Sequence, residues 1–262
     1  MLRETRMKRV LPLCRRVAHS IGRIVPACLL AFAAEIFPSP LLSQTPAPFS
    51  AAEPDTPPPA PWRHQPLPRV ERQNRFDLVE DDGRTVLRVR SEAAASTLAQ
   101  PLDVDPAETP VLEWRWKVSR PVAGSDFSHK SGDDYAARVY VLFDYPVERL
   151  SLADRAKITL GRALYGADLP AAALAYVWGT AQPAGAIGPN PYTDRVRMVV
   201  VDSGAAHAGQ WVSVRRNVAA DFRAAFGEAA PRIVGVAVSA DTDNTGERVT
   251  TLFGDLRFVA DR

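Results

Sequence analysis

Two adjacent carboxylates precede an apolar segment, in the motif Gly132-Asp133-Asp134-Tyr135. Hydrolysis of a glycosidic bond needs two carboxyl groups about 5–10 Å apart, and adjacent residues rarely supply such a pair by themselves. A turn that includes an ion pair with Arg138 is therefore one interpretation of the motif. The other is a ligand site in which Tyr135 and one carboxylate contact a bound molecule or a metal, with Asp133 and Asp134 as weak catalytic candidates.

The segment D-T-D-N-T-G at 241–246 has the spacing of oxygen ligands in a calcium-binding loop. Oxygen-bearing side chains occupy alternate positions, and a glycine at the sixth position permits the sharp bend that such a loop needs. The twelfth position is a leucine instead of the bidentate glutamate of an EF-hand, so the loop would need a distant acid. We therefore predict a calcium site formed by Asp241, Asp243, Thr245 and Asp255, with a plain polar turn as the alternative.

Aromatic, amide and guanidinium side chains near the ends of predicted strands could bind a sugar. An exposed Trp or Tyr offers an apolar ring with a polar handle, an amide can hydrogen-bond hydroxyl groups, and Arg can bind a carboxylate through two parallel hydrogen bonds. The candidates are Trp178, Asn190, Tyr192, Arg216 and Asn217. The alternatives are that Trp178 closes the hydrophobic core and that Arg216 forms a structural salt bridge.

Motifs of the common catalytic and cofactor sites do not occur in the chain. The sequence has no G-x-S-x-G, H-E-x-x-H, Walker or G-x-G-x-x-G motif. Between residues 69 and 262 the only histidines are His129 and His207, which lie in polar, loop-like sequence, whereas zinc needs three or four clustered ligands. The sequence therefore establishes no catalytic residue, and calcium is the only cofactor that it suggests.

Residues 1–34 have the composition of a secretory signal. Seven basic residues and one acidic residue are accompanied by an apolar run at 24–34, which is shorter than the roughly 20 residues of a transmembrane helix. We expect cleavage near the alanines at 31–34 and a periplasmic or secreted protein without a transmembrane helix in its mature part. An uncleaved membrane anchor is the alternative.

Removing this leader changes the charge of the chain. Residues 1–34 carry a net charge of +6 and the whole chain carries +2, so residues 35–262 carry −4. A mildly acidic protein does not attract phosphates over long range, so nucleic acid is not an expected partner. Both cysteines, Cys14 and Cys28, lie in the leader, so the remainder has neither a disulfide nor thiol chemistry.

Composition and periodicity divide the remaining chain into a linker and one domain. Residues 35–68 hold eleven of the 23 prolines, which favour extended conformations without ladder hydrogen bonds, and we expect a disordered linker there. Residues 69–262 contain about nine segments with strand-like patterns, most clearly 111–118, and two predicted helices at 151–164 and 219–226. This pattern predicts a mostly β, antiparallel sandwich of jelly-roll type with one or two short helices.

Eight short motifs stand in a specific order within residues 75–258. They are W-R-W-K-V at 114–118, G-D-D-Y-A-A-R-V-Y-V at 132–141, Y-V-W-G at 176–179, N-P-Y at 190–192, R-N-V at 216–218, D-F-R-A-A-F-G at 221–227, D-T-D-N-T-G at 241–246 and F-G-D-L at 253–256. Together they resemble the family of exported bacterial proteins called domain of unknown function 3047, which has no assigned activity. The resemblance implies a single domain behind a leader and transfers no catalytic residue.

These observations favour a binding module over an enzyme. Aromatic, amide and acidic residues are predicted in loops, without an acid–base pair at suitable spacing or an activated nucleophile. We therefore predict an exported β-sandwich that binds a carbohydrate or a cell-envelope glycan. The alternatives are an envelope polysaccharide hydrolase that uses Asp133 or Asp134, and a structural or assembly protein of the envelope.

Overall fold

The computed structural model describes residues 43–67, 70–165 and 171–262, so the predicted leader at 1–34 lies outside the described residues. The strands are β1 (Arg63–Pro66), β2 (Arg75–Asp81), β3 (Arg84–Glu92), β4 (Ala95–Val104), β5 (Val111–Val118), β6 (Arg138–Phe143), β7 (Ala172–Gly179), β8 (Ile187–Asn190), β9 (Thr193–Ser203), β10 (Val212–Asn217), β11 (Ile233–Asp241), β12 (Arg248–Phe253) and β13 (Arg257–Val259). Two α-helices, α1 (Leu152–Tyr165) and α2 (Val218–Phe226), lie where the sequence predicts them. Within this described part of the chain, no helix combines the length and the apolar character needed to cross a bilayer.

Two sheets pack against each other around a shared core. The first sheet has seven strands in the order β1-β4-β11-β6-β7-β9-β8. The second sheet has the order β10-β5-β12-β3-β2, with β13 beside β5. The predicted mostly β sandwich with short helices is therefore confirmed.

One strand pair departs from the antiparallel prediction. β7 and β9 run parallel, whereas the other strand pairs of the described residues are antiparallel. Antiparallel neighbours need only a tight turn, but a parallel pair requires a crossover of about a dozen residues or more. Residues 180–192, which contain β8, supply this crossover and carry Asn190 and Tyr192.

Trp114 and Trp116 lie on the inner face of β5, as the alternating pattern predicts. Their exposed fractions are 3% and 0%. The Trp116 ring centroid lies 6.0 Å from that of Trp178 in the opposite sheet and 6.3 Å from that of Phe253. Because each indole removes a large apolar area from water, the contact between Trp116 and Trp178 helps to hold the two sheets together.

Residues 43–67 pack against the sandwich, which differs from the disordered linker expected there. Phe49 is 0% exposed, and its ring stacks on Trp62 with a centroid distance of 5.0 Å. β1 pairs with β4 at the edge of the first sheet, and the N–H of Ser50 donates to Asp255 Oδ1 at 3.0 Å. The prolines exclude an α-helix and a central strand, but an edge strand tolerates them, and the two aromatic rings bury enough apolar surface to fix the segment.

Limited proteolysis of the full chain should therefore leave a protected fragment that begins before Phe49. A buried ring and a paired edge strand keep this segment from opening locally, and a protease cleaves only segments that open. Mass spectrometry of the fragment that survives a non-specific protease measures its first residue. A fragment that begins near residue 69 would restore the interpretation of residues 35–68 as a linker.

Candidate functional site

Acidic and amide side chains gather on the outer face of the first sheet, where β6 begins and β11 ends. Because these strands are antiparallel neighbours, the residues before β6 meet the residues at the end of β11. The pairing extends beyond β6, since the N–H of Tyr135 donates to Asp241 O at 3.1 Å and the N–H of Asp241 donates to Tyr135 O at 2.9 Å. We call this group the acidic site; it consists of Asp133, Asp134, Arg138, Asn190, Tyr192, Asp241 and Asp243.

Arg138 is the buried centre of the acidic site. Its side chain is 2% exposed, with Nη1 at 3.2 Å from Asp133 Oδ1 and Nη2 at 3.0 Å from Asp241 Oδ2. Nη1 also donates to the Tyr140 hydroxyl at 3.2 Å, and Nη2 donates to the Asp133 carbonyl. A buried charge is tolerated only with such partners. The ion pair that the sequence suggests for this motif is therefore present, and it orients two carboxylates.

Asp134 holds the loop at 241–246 in place. Its side chain is fully buried, and its Oδ2 accepts the N–H of Thr245 at 2.7 Å while its Oδ1 accepts the amide of Asn244 at 3.0 Å. Asp133, in contrast, pairs with Arg138. The two adjacent carboxylates thus point to different partners, and both are engaged within the protein.

Three carboxylates of the acidic site lie close to one another. One oxygen each from Asp134, Asp241 and Asp243 lies within 4.8 Å of the others. Burial raises the pKa of Asp241 well above its ordinary value; Arg138 opposes this rise, and Asp134 and Asp243 add to it. Carboxylates held together in this way repel one another, and a shared proton or a cation relieves the repulsion.

Tyr192 is the one exposed residue among the described Phe, Tyr and Trp side chains, with an exposed fraction of 58%. Its N–H donates to Asn190 Oδ1 at 3.0 Å, and the Asn190 amide donates to Asp133 Oδ2 at 3.1 Å. Lys130 Nζ lies 5.1 Å from the ring centroid. Partial burial, followed by the carboxylates of the acidic site, raises the pKa of the Tyr192 hydroxyl. The fold thus brings Asn190 and Tyr192 next to Asp133.

Trp178 and Tyr135 are buried, which contradicts their predicted roles as ligand contacts. Trp178 is 0% exposed, and its indole N–H donates to the Gly204 carbonyl at 2.9 Å. Tyr135 is also 0% exposed and belongs to a small apolar cluster with Val177 and Met198. β7 lies inside the first sheet with both faces covered, so Trp178 closes the core, as the alternative interpretation holds.

Arg216 and Asn217 stabilise the fold, which corrects their assignment to a ligand site. Arg216 donates to Asp221 through Nε at 2.9 Å and Nη2 at 2.5 Å, and the hydroxyl of Tyr176 donates to the same carboxylate at 2.9 Å. Asn217 Oδ1 accepts the N–H of Ala220 at 2.9 Å and so caps α2. Because α2 follows β10 directly, its first turn lies beside both side chains, and the Asn217 amide also donates to Asp261 Oδ2 at 2.8 Å.

The predicted calcium ligands are only partly brought together. The loop at 241–246 precedes β12 and Asp255 follows it, so the length of that strand separates them. Asp255 instead accepts hydrogen bonds from the N–H and the hydroxyl of Ser50, at 3.0 and 2.5 Å. Thr245 contributes its N–H to Asp134. The ligand set is therefore corrected: Asp134 replaces Asp255 beside Asp241 and Asp243.

Sequence reasoning missed Lys130 and Asn244. Lys130 lies two residues before the acidic motif at 132–135, and Asn244 lies inside the loop at 241–246. The only sign in the sequence that they belong to the site is that they lie near these motifs. Their contacts depend on how distant strands pair, which no local pattern reveals.

The calcium hypothesis stays a prediction, and the corrected ligand set sharpens its test. If calcium binds only the folded chain, it should stabilise wild type by about 2.7 kcal/mol at a hundredfold excess over the dissociation constant. Thermal unfolding with calcium and with chelator measures this gain. Asp243→Ala should abolish it and Asp255→Ala should retain it. An identical midpoint in both conditions for wild type would leave loop 241–246 as a plain turn.

Fold and site together define a β-sandwich protein with an acidic, partly buried polar site that includes the exposed Tyr192. The chain belongs to the family described as "Protein of unknown function (DUF3047)", whose model matches residues 60–257. This confirms the resemblance seen in the sequence motifs. No curated protein matches the chain.

Two solved structures are similar to this chain in fold. The family 11 carbohydrate-binding module of cellulosomal cellulase Lic26A-Cel5E of Clostridium thermocellum is 5% identical, with a TM-score of 0.41 over 85% of this chain and 97% of that chain. The family 30 carbohydrate-binding module of cellulosomal cellulase Cel9D-Cel44B of Clostridium thermocellum is 14% identical, with a TM-score of 0.39 over 80% of this chain and 95% of that chain. We draw no function from these similarities.

Proposed function

We propose that the protein is an exported binding module for a carbohydrate or cell-envelope glycan, which it binds at the acidic site. The observation that supports this is the exposed Tyr192 ring beside the Asn190 amide and the Asp133 carboxylate. A sugar presents apolar C–H groups on one face and hydroxyl groups around its rim. An aromatic ring with amide and carboxylate groups next to it complements both.

The hydrogen-bond chain behind Tyr192 supports a preorganised site. Tyr192 is tied to Asn190, Asn190 to Asp133, and Asp133 to the buried Arg138. Groups fixed before binding lose little conformational entropy when a ligand arrives, so more of the contact energy becomes affinity.

Acceptors remain for a ligand's hydroxyl groups at the acidic site. The carboxylate of Asp243 is exposed, with an oxygen within 4.8 Å of one from Asp241, and it can accept a hydrogen bond from a ligand hydroxyl. Because the site is rich in carboxylates, it should favour a glycan without acidic groups.

Binding fits the acidic site better than hydrolysis by Asp133 or Asp134. Asp134 is 0% exposed and already accepts hydrogen bonds from the loop at 241–246. Asp133 is 8% exposed and is shared by Arg138 and Asn190. A general acid must reach the glycosidic oxygen, and neither carboxylate is free to do so without breaking these bonds. Export is inferred from the composition of residues 1–34 alone.

A glycan-array screen of the full chain, followed by calorimetry on the strongest neutral hit, tests this proposal. Tyr192→Ala should weaken binding by about tenfold or more, because an aromatic contact at the centre of a site contributes more than about 1 kcal/mol. Tyr192→Phe should keep most of the affinity, since it keeps the ring. Leu152→Ala, which removes another exposed apolar side chain, should change nothing.

Two results would contradict the proposal. The first is that no neutral glycan binds on the array, which would favour a structural or assembly role. The second is that Tyr192→Ala binds the hit as tightly as wild type, which would place the glycan elsewhere.

A further inference from the structure

A polar groove lies on the outer face of the second sheet, the face that carries Glu113, Arg115 and Arg215. Its volume is about 440 Å³. This is within the range of small-molecule sites, which extends from roughly 300 to 1,000 Å³. Its charged lining residues are Arg84, Arg115, Arg215, Arg257, Glu113 and Asp255.

The two carboxylates of this groove already have partners. Glu113 is shared by Arg215, with Nε at 3.4 Å from Oε1, and by Arg257, with Nη2 at 3.1 Å from Oε2. Asp255 accepts both hydrogen bonds of Ser50. Little acceptor capacity is therefore left for the other arginines of the lining.

Two guanidinium groups of the groove have no hydrogen-bond acceptor within residues 43–67, 70–165 and 171–262. Arg84 makes no side-chain hydrogen bond or ion pair with any residue that the structure describes. Arg115 has one ion pair, in which Nη1 lies 3.5 Å from Asp82 Oδ2, a distance too long for a well-formed hydrogen bond. Each guanidinium carries five N–H donors, so the groove has an excess of donors.

Arg115 is also fixed in position. Its Cζ lies 4.2 Å from the centroid of the Trp211 ring, and the Trp211 indole N–H donates to Asp81 Oδ1 at 2.7 Å. A Cβ at Gly254 would lie 2.6 Å from Arg115 Cγ, so only glycine leaves room for this side chain. An arginine held on both sides loses little freedom on binding, which distinguishes it from a mobile surface arginine.

We propose that this groove is a second binding site, which takes an acidic oligosaccharide with carboxylate groups. The planar fork of a guanidinium matches a carboxylate through two parallel hydrogen bonds, and Arg84 and Arg115 have the free donors to form them. The hydroxyl of Ser213 in the lining offers a further hydrogen bond to the sugar. The inference does not rest on the acidic site, because the two sites share no residue.

Calorimetry of the full chain with oligogalacturonate as the probe tests the inference. Wild type should bind it, and a neutral galacto-oligosaccharide should not compete for the groove. Arg84→Gln and Gly254→Ala should each weaken binding by about tenfold or more, because the first removes the donors and the second displaces Arg115. Arg248→Gln removes an exposed arginine of the same sheet that lies outside the groove, and it should leave the affinity unchanged.

Arg84→Gln is the decisive variant, because Arg84 is exposed and unpaired among the described residues. Its loss should therefore not affect folding, and thermal unfolding of the variant checks this. Tyr192→Ala should bind oligogalacturonate as wild type does, which separates this inference from the proposed function. Absence of binding to wild type, or equal affinity of wild type and Arg84→Gln, would overturn it. Equally tight binding of inorganic phosphate with the same dependence on Arg84 would overturn the saccharide assignment.

Discussion

Replacing Arg138 with methionine should lower the free energy of unfolding by about 3–5 kcal/mol. The substitution keeps an apolar stem but leaves Asp133 and Asp241 without their shared counter-charge, in a site where Arg138 is 2% exposed. Tyr140 loses a donor at the same time. Urea denaturation followed by tryptophan fluorescence measures the change.

The pH dependence of this loss separates charge from packing. Burial already raises the folded-state pKa of Asp241 and Arg138 opposes this rise, so without Arg138 that pKa should lie further above its unfolded value. The folded state then binds more protons, so stability falls as pH rises from the unfolded pKa toward the folded one. The loss in Arg138→Met should therefore be smaller at about pH 4 than at about pH 7. Arg88→Met, which breaks a partly exposed pair with Asp77, should cost about 1 kcal/mol or less at either pH.

Trp116→Ala should cost about 3–5 kcal/mol of folding free energy, the usual range for removing a buried Trp side chain. The side chain is 0% exposed and contacts rings from both sheets, with Trp114 at 5.5 Å and Trp178 at 6.0 Å between centroids. Its loss leaves a cavity that these rings cannot fill. The midpoint and slope of chemical denaturation give the free energy.

Trp211→Ala is the matched control for Trp116→Ala. Trp211 lies on the outer face, partly exposed, and its ring contacts the cationic groups of Arg115 and Lys117. Removing it should cost about 1–2 kcal/mol, the scale of such cation–ring contacts. Near-native stability of Trp116→Ala would contradict the assignment of this face of β5 to the core.

Sequence periodicity predicts burial well where only one face of a strand is apolar. β5 alternates Trp114 and Trp116 with charged residues, so the pattern alone determines which face is the core. β7 is apolar along its whole length, so periodicity could not decide whether Trp178 is exposed. For residues 43–67 the Pro-rich composition led to a wrong prediction of disorder, because Phe49 and Trp62 fix this segment to the sandwich.

The sequence identifies individual residues of the candidate site but not which of them lie close together. Asp134 and Asp243 lie in motifs that the sequence singles out, but more than a hundred residues separate them. Their proximity follows from the pairing of β6 with β11, which is a property of the whole sheet. The prediction of Asp255 as a ligand is wrong for a different reason. Loop 241–246 precedes β12 and Asp255 follows it, so the two lie at opposite ends of that strand.

Chemical-shift mapping of the neutral glycan hit by nuclear magnetic resonance is the most direct test of the central claim, that the acidic site binds a carbohydrate. The backbone amides of Lys130, Asn190, Tyr192 and Asp243 should shift together as the glycan is added. In Tyr192→Ala, the amides of Lys130, Asn190 and Asp243 should need about tenfold more glycan, or more, to shift as far. Shifts confined to the groove around Arg84, or no shifts at saturating glycan, would contradict the claim.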